Sequence, residues 1–173
     1  FFGIDCIFFA ANSVKLHEGG WFPLLLAGVI AFLMLTWRGG VKLVGILSWY
    51  DEPSWCLAEL VSSVAAAGCD ALVAVDGAYM LFPDGRGQSP AEQAQVIQAT
   101  AQGAGMELLM HVPRERWFGN EIEKRSFAFE LAHQIAVPEE DWLWILDADE
   151  VVTEALGLKE ALEETSLDAA SCM

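Results

Sequence analysis

Basic residues are scarce in this chain. Nine lysines and arginines stand against 25 aspartates and glutamates, giving a formal net charge of -16 over 173 residues. So acidic a chain repels the nucleic-acid backbone, which argues against a partner held by its phosphates. Cysteine is sparse too. Cys6, Cys56, Cys69 and Cys172 are scattered, without a Cys-x-x-Cys pair, which argues against a zinc site or a disulfide framework and fits a reducing compartment. His111 and His133 lack companions at ligand spacing and are read as structural. The Gly85-Arg86-Gly87 loop lacks the Lys-Ser/Thr pair and the following helix of a phosphate cradle. A basic N-terminal region and a small-residue cleavage pattern are both missing, so a secretory signal is not expected.

The charge that is present lies at one end. Residues 1–40 hold Asp5 and Glu18 against Lys15 and Arg38, and the other 23 acidic and 7 basic residues follow them. Two domains are therefore expected, a hydrophobic membrane-type segment over 1–40 and an acidic domain over 41–173. Within the first, Trp21–Trp37 is an uncharged run of 17 residues, at the short limit for crossing a bilayer. Tryptophans at both ends suit the two interfaces, and Arg38 and Lys42 after the second suit the cytoplasmic side. A membrane helix through residues 21–37 is the expectation, and a buried helix of a soluble core the alternative. Phe1–Val14 is apolar but broken by Asp5, and reads as the tail of a helix whose beginning is missing.

Past Gly39-Gly40 the pattern becomes alternating strands and helices. Strands are expected at Lys42–Trp49, Ala71–Val75 and Met106–Val112, and in the apolar run from Trp142 that ends at the carboxylates Asp147, Asp149 and Glu150. The first helix opens at Pro53-Ser54 and repeats Leu57, Leu60, Val61 and Val64 at helical spacing before Gly68. The second opens at Ser89-Pro90-Ala91-Glu92, a capping hydroxyl with proline behind it and glutamate three residues on. A third covers Asn120–Ile135, and Leu156, Leu158, Ala161 and Leu162 suggest a helical tail. Strands too apolar to face water, separated by helices, give an α/β fold with a mostly parallel sheet covered on both faces. In such sheets ligands bind beyond the carboxyl ends of the strands. Asp51 and Glu52, Asp76, and Asp147 with Asp149 all fall at those ends.

The sharpest motif is Leu146-Asp147-Ala148-Asp149-Glu150. In extended backbone Asp147 and Asp149 project the same way, and two neighbouring anions suit a hard cation, Mn²⁺ or Mg²⁺. A strand followed by a solvated acidic turn is the plainer alternative. Asp51 also suits a helix cap, Asp76-Gly77 a turn, and Lys124 and Arg125 ion pairs one helical turn from Glu121 and Glu123. Trp117, Trp142 and Trp144 read as packing rather than as sugar platforms.

Two resemblances attach to these residues. Phe8-Phe9-Ala10-Ala11-Asn12, Gly19-Gly20-Trp21-Phe22-Pro23-Leu24 and Thr36-Trp37-Arg38 resemble the last membrane segments of the potassium uptake permeases, the KUP/HAK/KT family. Ser48-Trp49-Tyr50-Asp51-Glu52, Val75-Asp76-Gly77, Asn120–Arg125 and the Asp-x-Asp resemble the N-terminal half of a family 2 glycosyltransferase of GT-A type. The second resemblance implies an incomplete Rossmann-like domain binding a nucleotide-diphosphate sugar through Asp51, Glu52, Asp76, Arg125 and Asp147. It also implies a divalent ion on Asp147 and Asp149, with an unknown acceptor and no catalytic base that can be named. By the first resemblance the domain over 41–173 lies on the cytoplasmic side of a membrane; it is cytoplasmic if residues 1–40 are foreign to it. Two alternatives stand beside this. One is a permease fragment joined to an inactive domain. The other is a haloacid-dehalogenase-type phosphatase with Asp147 as nucleophile, which needs a later lysine and acidic pair, of which the tail holds Lys159 but no paired aspartates.

Overall fold

Four parallel strands in the order β3-β2-β1-β4 form the sheet. They are β1 (Leu43–Trp49), β2 (Ala71–Asp76), β3 (Glu107–His111) and β4 (Trp142–Asp147). The computed structural model describes residues 21–36, 40–80, 86–114, 119–155 and 157–168. Phe1–Val14, Lys15, Glu18, Gly19-Gly20, Trp37-Arg38, Gly39, Gly85, Trp117, Leu156 and Cys172, all used above, lie outside the described residues.

Two compact units divide the chain, Phe1–Gly40 and Val41–Met173. In the first, α1 (Trp21–Thr36) is a helix of 16 residues, about 24 Å long at 1.5 Å per residue. A bilayer core is about 30 Å thick. Among the described residues no helix is long and apolar enough to cross a membrane; Trp37, the last residue of the expected 21–37 helix, lies outside them. Leu25, Leu26, Val29, Ile30 and Phe32 are exposed on it.

The second unit follows the expected order of elements. Helix α2 (Ser54–Ala66) buries Leu57, Leu60, Val61 and Val64, the four positions the helical spacing picked out. Full burial of such side chains stabilises by about 1.5–3 kcal/mol each. They pack with Ile97 and Ala101 of α3 (Ala91–Gly103) and with Leu47, Leu72 and Leu146 on one face of the sheet. On the opposite face Ala128 and Ala132 of α4 (Glu121–Ala132) meet Val44, Ile46, Val73 and Val75. Helix α4 lies against β1 and β2, and Ile145 of β4 on the same face is 48% exposed. A short α5 (Leu158–Glu164) follows.

Two carboxylates fix the start of β1. Asp70 accepts the Leu43 N–H at 2.8 Å, and Asp141 accepts the Lys42 N–H at 3.0 Å. Asp70 also receives Lys159 Nζ of α5 at 2.7 Å. At the other end the register pairs Trp49 with Asp76 and Ser48 with Asp147, so β1, β2 and β4 finish level with one another.

Gly77, just past β2, has φ +119°, and a Cβ there would lie 2.7 Å from Pro113 Cγ. Gly77→Ala is expected to lower stability by about 1–3 kcal/mol. Gly103→Ala, at the end of α3 with open space around it, is expected to raise it by up to about 1 kcal/mol. Urea unfolding of the whole chain in detergent checks both: the midpoints move in opposite directions at unchanged slope.

Candidate functional site

Backbone carbonyls at the ends of parallel strands run out of ladder partners and need donors from elsewhere. Lys124 supplies them. Its position on α4 shares a stripe with Ala128 and Ala132, the buried face of that helix, and its side chain is 2% exposed. Nζ donates to Trp49 O at 2.7 Å and to Gly77 O at 2.8 Å, joining the ends of β1 and β2. Burial lowers its pKa from 10.5 to about 8, and neighbouring Asp76 opposes part of that drop.

Asp76, also buried, accepts the Ser89 N–H at 2.8 Å and the Ser89 hydroxyl at 2.5 Å. Ser89 Oγ in turn accepts the Asp51 N–H at 2.8 Å. This corrects the expected capping box: α3 has no side-chain cap, because the Ser89 hydroxyl is held by the buried carboxylate. Asp51 adopts a left-handed φ of 54° and pairs with Arg86. By contrast, Asn120 caps α4 through the N–H groups of Ile122 and Glu123.

Beyond these bonds lies a cleft of about 210 Å³, lined by Tyr50, Glu52, Ala78, Tyr79 and Lys124 among others. Arg125 lies beside it on α4, 2.6 Å from Glu121 and 3.5 Å from Asp147. Its neighbours are half exposed or more, so each pair contributes about 0–1 kcal/mol. Asp147 and Asp149 serve different surroundings. Asp147 meets Arg125 of α4, whereas Asp149 adds, after desolvation and the carboxylates of Glu52 and Glu59, to the upward pKa shift of Cys56 on α2. Among the described residues no group of three or more His, Cys, Asp or Glu side chains is arranged to hold a metal ion.

The structure thus brings Asp51, Glu52, Asp76, Arg125 and Asp147 to one edge of the sheet. Lys124 and Ser89, which tie that edge together, were not singled out as site residues by the sequence. A lysine four and eight residues before two helix-face alanines was the available signal.

Residues 1–42 match the family described as K+ potassium transporter integral membrane domain. The "Probable potassium transport system protein Kup 3" of Bradyrhizobium diazoefficiens is 77% identical over 44 residues, 25% of this chain and 7% of that protein. A "Probable potassium transport system protein Kup" of Thiobacillus denitrificans is 51% identical over 66 residues, 38% of this chain and 10% of that protein. Another, of Verminephrobacter eiseniae, is 32% identical over 87 residues, 50% of this chain and 13% of that protein. The chain spans about a tenth of the length of these relatives. They are potassium transport proteins, and with that the glycosyltransferase assignment and its nucleotide-diphosphate-sugar partner are overturned.

Lys124→Met leaves two strand-end carbonyls and a buried carboxylate without their cation, and is expected to lower stability by roughly 2–4 kcal/mol. The lowered pKa also sets a sign. Between pH 8 and 10.5 the unfolded chain keeps a proton that folded Lys124 has released, so stability rises with pH across that window. The full rise corresponds to roughly 3 kcal/mol. Urea midpoints measured from pH 7 to 11 for both proteins check this: the difference between them carries the rise, and the Met variant lacks it.

Proposed function

We propose that residues 1–42 are a piece of the integral membrane domain of a Kup-type potassium transport protein, joined directly to an acidic α/β unit. The family match over residues 1–42 carries this reading. It ends one residue before β1 begins at Leu43, so the matched segment and the sheet are contiguous in sequence without overlapping. The ion handled is potassium, and the segment is membrane-associated. The exposed apolar side chains of α1 support this, since such a surface is covered in a membrane by lipid or by neighbouring helices.

In this reading the α/β unit is a folded appendage without transport or transferase chemistry. The strand-end acids support that role. Asp76 is bonded to Ser89, Asp51 to Arg86, and Asp147 faces Arg125, so their charges stabilise the edge of the sheet. Glu52 and Asp149 add to its negative field.

A chimera tests the first part. Residues 1–42 replace the matching stretch of the Bradyrhizobium diazoefficiens protein, in cells that lack their own potassium uptake. Growth at low potassium at the parent's rate is the expected outcome; a chimera present in the membrane that does not support growth overturns the proposal. The whole chain is also expected to stay in the membrane pellet after an alkaline carbonate wash, and its release would overturn the membrane placement.

A further inference from the structure

Among the described residues strand β4 is an edge strand, paired with β1 alone. The Trp142 N–H donates to Lys42 O at 2.9 Å. By alternation Trp142, Trp144 and Leu146 turn their peptide groups toward β1, and Leu143 and Ile145 turn theirs outward. Among the described residues nothing bonds to the outward N–H groups of Leu143 and Ile145. Natural sheets blunt such an edge with lysine, proline, a bulge or a cover, and Trp-Leu-Trp-Ile-Leu-Asp contains neither lysine nor proline.

A groove of about 820 Å³ runs beside this edge, between the turn at Glu139–Asp141 and the stretch from Leu162 to Asp168. Its floor is apolar: Trp142, Leu143, Ile145, Leu162 and Leu167 line it, with Ile145 48% and Leu167 63% exposed. Its rim is anionic. Glu139, Glu140, Asp141, Glu163 and Asp168 line the groove, and among the described residues no lysine or arginine does.

We propose that the free edge of β4 takes up an extended segment of a partner protein by strand addition, one that alternates apolar residues with lysine or arginine. Backbone bonds to Leu143 and Ile145 set its direction along β4, as in other added strands. Apolar side chains on one side of the added strand cover Ile145 and Leu143, and the cations meet the carboxylate rim. Charge complementarity selects this occupant over a second copy of the chain. Edge-to-edge self-pairing would bring the same five carboxylates together from both sides.

The test uses the whole chain in detergent at low salt and a fluorescein-labelled peptide alternating valine with lysine. A peptide of equal composition, with valines in one block and lysines in another, is the control. Anisotropy titration is expected to show the alternating peptide binding at least about tenfold more tightly than the block peptide, with added salt weakening it. Amide exchange at Leu143 and Ile145 should slow in the complex. Ile145→Pro removes an outward N–H while leaving the β1 ladder intact, and is expected to weaken binding about tenfold. The double change Glu140→Lys with Glu163→Lys, which leaves the backbone alone, is expected to do the same. Equal binding of both peptides, unchanged amide exchange, or indifference to both variants overturns the proposal. So does a concentration-dependent dimer in sedimentation that Ile145→Pro abolishes, because it makes a second copy the occupant.

Discussion

One buried ammonium group holds the carboxyl end of this sheet together. Lys124 reaches from α4 over the ends of β1 and β2 and gives each a hydrogen bond where the ladder stops. A charge so deeply placed is unfavourable unless every donor is matched and a counter-charge is near. The two carbonyls match two of its three donors, and Asp76 supplies the counter-charge. Asp76 in turn depends on Ser89, and Ser89 on the turn at Asp51. The cleft at the sheet edge takes its shape from this chain of bonds, and so does the seat of α4 on the sheet.

The acids that crowd the strand ends acquire a different meaning in that setting. Three of the four strands deliver carboxylates to one edge, a pattern that also suits cation and phosphate recognition. In this protein the carboxylates meet protein cations and donors: Arg86, Arg125, the Ser89 hydroxyl and the Lys124 ammonium. The family match covers the segment ahead of the sheet, residues 1–42, in a family of potassium transporters.

Much of the fold was readable in the residues. Leu57, Leu60, Val61 and Val64 announced α2 because helical spacing and burial coincide there, and the four apolar runs became the four strands because β-rich segments between helices have no other stable place. The site was less legible. Ser89 looked like a helix cap, since local pattern cannot show that a buried carboxylate from a strand 13 residues away in sequence competes for its hydroxyl. Lys124 looked like a surface ion pair with the acids around it, when its neighbours at four-residue spacing placed it on the buried stripe. Asp147 and Asp149 looked like a pair from strand alternation, and β4 ends at Asp147, so Asp149 stands in the turn beyond it. Covering of both sheet faces was also expected, yet the side of β4 that carries Ile145 stays open.

The two carboxylates that fix the start of β1 have a mechanical side. Asp70 and Asp141 grip adjacent backbone N–H groups at Leu43 and Lys42, from opposite flanks of a strand that already has a parallel neighbour on each side. A pull on the chain arriving from Gly40 meets that double clasp first. It then loads both ladders of β1 along their length, in shear, where many bonds share the strain and must fail together. Unzipping one bond at a time is denied to it, so the sheet can bear tension from the segment ahead of it without surrendering its central strand.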